Sequence, residues 1–172
     1  MKMAAIATAA ILMVSTSTIV QAETTLETEI TTLLEGIAKA ADDHAWDRLN
    51  LKFTDHIILN QLSLATQSGA RVDEQTLIAT WAALLPKFDE THHAVTDIEV
   101  LASSSLIARA TARYHATYHL NSVRWEQTGR LNYVLKLTEE GWQVTALETV
   151  PAWESGALTD LLSETASETP LS

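Results

Sequence analysis

Leu106-Ile107-Ala108-Arg109-Ala110-Thr111-Ala112-Arg113-Tyr114-His115-Ala116-Thr117-Tyr118-His119-Leu120 alternates over its whole length. Successive side chains of a strand point to opposite faces. Leu106, Ala108, Ala110, Ala112, Tyr114, Ala116 and Tyr118 therefore share one face. Ile107, Arg109, Thr111, Arg113, His115, Thr117 and His119 share the other. A long strand with one apolar face belongs to a sheet that covers a core on one side only. The small alanines leave room on that side, which suits a pocket; they equally suit a helix packed close to the sheet.

The same period continues on either side of this stretch. Strands are expected near 92–101, 106–120, 124–138 and 141–150, with turns at Ser103–Ser105, Asn121–Val123 and Glu139–Gly141. Turns this short imply an antiparallel meander. The preceding half is helical in character. Leu26, Ile30, Leu33, Leu34, Ile37 and Ala41 fall on one helix face. Asp42-Asp43-His44 breaks that pattern, and Trp46, Leu49 and Phe53 predict a second short helix. Asp55 to Leu62 reads as a first strand, followed by a turn at Ser68-Gly69. A third helix, capped by Asp73, would bury Leu77, Ile78, Trp81, Leu84 and Leu85 and end before Pro86. Helices first and long strands afterwards predict an α+β domain with the sheet curled around the helices.

Composition bounds the function. Lys2, the apolar run Ala4 to Val14 and the closing Val20-Gln21-Ala22 match a secretory signal peptide over residues 1–22. The chain is expected to be secreted or periplasmic, with one domain over 23–155 and an acidic, Ser/Thr-rich, flexible tail over 156–172. No other stretch is apolar and long enough to cross a membrane. The 22 acidic residues outnumber the 11 basic ones, for a formal net charge of −11. Such a field disfavours nucleic acid and anionic lipid as partners. The chain has no cysteine, which removes thiol nucleophiles, thiolate zinc sites and iron–sulfur clusters. Five tryptophans suit a large aromatic-lined interior.

The remaining chemistry is narrow. No Gly-x-Ser-x-Gly elbow, phosphate loop or dinucleotide fingerprint occurs. His115 and His119 have ligand spacing for a helix, but on a strand they stand roughly 13 Å apart. No metal site and no cofactor are therefore expected. Acid–base chemistry by histidine and aspartate is left. Thr91-His92-His93-Ala94-Val95 places two adjacent imidazoles on opposite faces of a strand, so only one can enter an interior. Alternation favours His92, which shares parity with Ala94, Ile98 and Val100. Asp42 is either a helix cap or a carboxylate that orients and charges an imidazole.

Asp42-Asp43-His44-Ala45-Trp46-Asp47-Arg48-Leu49 resembles the Asp-x-x-x-Trp-Asp-Arg-Leu stretch of scytalone dehydratase and related SnoaL-like proteins of the nuclear transport factor 2-like superfamily. Phe88 to Asp97 resembles their strand-opening Thr-x-His segment. Gly141-Trp142-Gln143-Val144 and Pro151-Ala152-Trp153 resemble their closing strand and exit. The resemblance spans about residues 26–155 and implies a cone-shaped barrel, three helices on a curled sheet around a deep pocket.

It also implies a cofactor-free elimination by one aspartate and two histidines. Asp42 falls on the aspartate and His93 on the first histidine. His119 falls on the second only with a one-residue adjustment in the Ser103–Ser105 turn; otherwise Tyr118 takes that position. Ala41 replaces a substrate-holding tyrosine. A bulge near Val95 would reconcile an inward His93 with the alternation. Trp81, His92, Tyr114, Tyr118, Tyr133 and Trp153 are expected to line the pocket. The reading is a lyase or isomerase acting on a small, mostly apolar carbonyl or ring compound. The alternative is a non-catalytic module that holds a hydrophobic ligand or a protein partner. Homodimerisation through the sheet is compatible with either.

Overall fold

The computed structural model describes residues 12–60 and 69–156. Most of the tail and the beginning of the signal-like segment lie outside these residues, as do Leu62 and Ser68 of the expected strand and turn. Helix α1 spans Leu12–Asp42, and its apolar stripe buries Ile30, Leu33, Leu34, Ala40 and Ala41. It closes as the sequence break predicts. The Ala45 N–H donates to the Ala40 carbonyl at 2.9 Å and the His44 N–H to the Ala41 carbonyl at 3.2 Å. His44 sits at φ +54°. This is the left-handed closure that usually takes glycine, and it leaves Asp42 at the last helical position. No described helix is long and apolar enough to cross a membrane.

The expected second helix is only a 3-10 turn over Trp46–Leu49. Leu51 turns left-handed at φ +65°, and Phe53 already begins a strand. Strand β1 covers Phe53–Asn60 and pairs antiparallel with β2, Ala70–Asp73, too short for alternation to announce it. Helix α2 covers Glu74–Leu84 and leads into a 3-10 turn, Leu85–Lys87, around Pro86. Asp73 occupies the position before α2 without capping it; its carboxylate pairs with His56 Nδ1 at 2.5 Å instead.

Strands β3 (Glu90–Ser103), β4 (Ile107–Leu120), β5 (Val123–Thr138) and β6 (Gly141–Ser155) form the expected antiparallel meander. The parallel pairing of β1 with β6 extends it to six strands in the order β2-β1-β6-β5-β4-β3. The sheet curls but does not close, because β2 and β3 remain edges. Its concave face carries Ala108, Ala110, Ala112, Tyr133, Leu135 and Val144, packed against Ile30, Leu34, Phe53, Ile57 and Leu77. A second cluster of Leu85, Phe88, Tyr118, Leu120 and Trp125 fills one end.

Two bulges decide which side chains enter the cone. In β3, Thr96 pairs with Arg113 but Glu99 pairs with Thr111, so one extra residue is inserted, with Asp97 at φ +49°. Odd positions face inward before this point and even positions after it. His93 and Val95 therefore share the inner face with Ile98 and Val100. In β6, Gly129 pairs with Pro151 but Thr128 pairs with Trp153, which again reverses the alternation.

Candidate active site

The end of α1 meets the start of β3 at Asp42. Its carboxylate, 17 % exposed, accepts from the His93 backbone N–H at 2.7 Å, from His93 Nδ1–H at 2.5 Å and from the Thr91 hydroxyl at 3.2 Å. One side chain thus ties helix to strand and fixes the imidazole tautomer, because a carboxylate only accepts. On the other side of the ring, His93 Nε2 lies 2.7 Å from the Tyr118 hydroxyl. With Nδ1 protonated, Nε2 of the neutral ring accepts that phenolic proton. Tyr118 is held edge-on to Phe88 and His93, at centroid distances of 5.0 and 5.3 Å, and tilted against Trp125 at 5.2 Å.

Electrostatics keeps each member in its role. Burial tends to raise the Asp42 pKa, but the His93 side-chain hydrogen bond, the electrostatic attraction of that ring, the His93 backbone N–H and the Thr91 hydroxyl together hold it below the ordinary value. The Tyr118 phenol is pushed up by burial first and by the Asp42 charge second, so it stays protonated as a donor. Because the folded Asp42 pKa is depressed, its stabilisation is complete above the unfolded value of 3.8 and is lost as pH falls through the lower folded value. Asp42→Asn is accordingly expected to flatten the acid arm of the stability curve. Denaturant titrations of both proteins from pH 6 down to 2 check this; parallel curves would contradict it.

His93 and Tyr118 open onto a cavity of about 170 Å³ between α1, α2 and the concave sheet. Trp81, Tyr114 and Tyr133 also line it, as does Ala41, where the resemblance implied a tyrosine. The Tyr114 hydroxyl donates to Gln127 Oε1 at 2.7 Å, and burial, then the Glu154 charge, push its pKa up to about 12. Glu154 accepts from Trp125 Nε1 at 2.6 Å and Gln127 Nε2 at 3.4 Å.

Three expected residues stand elsewhere. His92 is 67 % exposed and turned away from the cavity, its Nδ1 3.7 Å from Asp42. His119 lies on the outer parity of β4, which pairs with β5 without a register shift from Ile107 to Leu120; Tyr118 holds the place beside His93. Trp153 is 52 % exposed, because the β6 bulge turns it outward and brings Glu154 inward. Gln127 and Glu154 were not anticipated. Gln127 had left a trace, being the polar residue that shares inner parity with Trp125 and Leu131. Among the described residues, no group of three His, Cys, Asp or Glu side chains is placed to hold a metal ion.

The SnoaL-like domain family matches residues 22–148. The chain belongs to that family. Solved structures agree on the fold of this SnoaL-like protein. A protein from Kribbella flavida is 23 % identical at a TM-score of 0.70, covering 75 % of this chain and 92 % of its own. A protein of Novosphingobium aromaticivorans named as a candidate scytalone dehydratase is 14 % identical at 0.70, covering 80 % and 91 %. A hexachlorocyclohexane dehydrochlorinase is 12 % identical at 0.67, covering 77 % and 89 %. No functionally curated protein matches the sequence.

Proposed function

We propose that this SnoaL-like protein is a cofactor-free lyase or isomerase acting on a small, largely apolar ring compound with a carbonyl or hydroxyl group. The observation that carries the reading is the chain Asp42–His93–Tyr118, with its inner end on an apolar cavity. A ligand oxygen entering the cavity would take over the Tyr118 O–H as donor and so free the lone pair on His93 Nε2. Nε2 then removes a proton from the carbon next to the activated carbonyl, and Asp42 stabilises the imidazolium that forms. In an elimination, a carbon–carbon double bond forms as the carbon–oxygen bond breaks. The imidazolium returns its proton to the departing hydroxyl, which leaves as water. In an isomerisation the same proton goes back to a different carbon. Two of the structural neighbours carry names that denote eliminations, of water and of hydrogen chloride.

The test is a panel of cyclic β-hydroxy ketones, with water loss followed by the absorbance of the conjugated product. Turnover by the wild-type protein well above that of His93→Ala is expected. Equal rates across the panel would sink the proposal. They would favour the ligand-binding alternative, which the position of the Tyr118 hydroxyl over Nε2 also suits.

A further inference from the structure

The three tyrosines that line the cavity are not equivalent. The Tyr114 hydroxyl donates to Gln127, and that of Tyr118 is paired with His93. Tyr133 is 8 % exposed, and among the described residues its hydroxyl makes no hydrogen bond. Buried polar groups are rarely left so. Thr149, 6 % exposed and also lining the cavity, likewise makes no side-chain hydrogen bond among the described residues. The two are neighbours by register. Tyr133 pairs with Leu147 and Leu131 with Thr149, so Tyr133 and Thr149 stand diagonally on one face of adjacent strands, about 7–8 Å apart at the backbone.

This pair is remote from the acid–base end. His93 pairs with Ala116 of β4, whereas Tyr133 pairs with Ala110 of the same strand. That separation is roughly 20 Å of backbone at about 3.3 Å per residue. Between them the wall carries Val95 and the ring of Tyr114, while the apolar Leu131 and Leu147 flank Tyr133 and Thr149 themselves. The volume limits what can bridge the ends. A cavity near 150 Å³ holds one benzene ring, so about 170 Å³ suits one ring with short substituents. Burial alone pushes the Tyr133 phenol up, so it remains a donor throughout the physiological range.

We infer that Tyr133 and Thr149 form a second polar station that recognises an oxygen at the far end of the substrate, making the substrate class a single ring with oxygen functions at opposite ends. The inference rests on the acid–base reading only for calling this ligand a substrate. The hydroxyls themselves define a binding site: Tyr133 donates, and Thr149 can donate or accept.

The test uses acetophenone and 4-hydroxyacetophenone, which differ by one para hydroxyl, titrated into the full protein by calorimetry. The wild-type protein is expected to prefer 4-hydroxyacetophenone by about tenfold, the ordinary worth of one well-made hydrogen bond. Tyr133→Phe, which keeps the ring, should reduce that preference to parity or below without lowering Tm. Equal wild-type affinity for the two probes, including binding of neither, would overturn the inference. So would a preference that survives Tyr133→Phe. A fall of several degrees in the Tm of Tyr133→Phe would also overturn it, because the hydroxyl would then have a structural partner. These readouts are affinities and stability. Absence of turnover would therefore sink the proposed reaction and leave this site standing, and equal affinities would do the reverse.

Discussion

Replacement of His93 by alanine is expected to lower turnover by about 10²–10⁴-fold, the range a positioned general base contributes. The residue touches the cavity through Nε2 and is the imidazole that the β3 bulge aims inward. Asp42→Asn tests the same chain one step further back. Asp42 does not line the cavity; in the proposed reaction it would act only by positioning His93, to which it is hydrogen-bonded. An asparagine can accept from the His93 backbone N–H only by turning its amide NH₂ toward Nδ1. That forces the ring proton onto Nε2 and removes the base, an effect large in other histidine–carboxylate pairs. A loss of about a hundredfold is expected, together with a displaced pH–rate profile that a merely structural role would not produce. His92→Ala serves as the control, since its ring is turned to solvent, and should stay within about twofold. Activity lost equally in the His92 and His93 variants would contradict the assignment. Retention of the native near-ultraviolet circular dichroism in each variant separates chemistry from folding.

Gly129→Ala is expected to cost about 3 kcal/mol, at the upper end for overpacking by one methyl group. A Cβ there would lie 2.3 Å from the Val150 carbonyl oxygen and 2.9 Å from both Pro151 Cα and Tyr114 Cε1. Two of those three neighbours are backbone, so a rotamer change cannot relieve them. The position is also where the β6 bulge begins, so β5 and β6 have little freedom to separate. For a domain of this size the cost corresponds to a fall in Tm of roughly 6–12 °C. Tyr114→Ala removes the side-chain clash and leaves the two backbone ones. Gly129→Ala should therefore remain destabilising in the Tyr114→Ala background. A change below about 0.5 kcal/mol in the wild-type background, read from urea midpoints, would show that the strands yield.

Asp42 and the two adjacent histidines show how far a local pattern reaches. The break at Asp42-Asp43-His44 was legible because a helix face of regular period stops there, and the closure at His44 is made by its own neighbours. The identity of the inward histidine was not legible. Alternation counted back from Val100 and Ile98 points to His92, and the count fails because one residue is inserted between Thr96 and Glu99. The same failure recurs at Trp153. A bulge has no strong signature of its own: Asp97 tolerates a left-handed φ, yet aspartate is common in ordinary extended strands too. The resemblance reached His93 by motif, without the geometry that explains it.

The sequence by itself determined the α+β class, the meander of long strands with one apolar face, the end of the first helix and the absence of cysteine. All of these follow from periodicity, local capping and residue inventory, which neighbours in the chain settle among themselves. Only the tertiary structure decided that β1 lies parallel to β6, that Tyr118 and not His119 meets His93, and that Tyr133 and Thr149 face the cavity without hydrogen-bond partners among the described residues. Each of these depends on register between segments far apart in the chain. A single inserted residue exchanges the two faces of a strand, so contact between distant segments had to form before the faces were assigned.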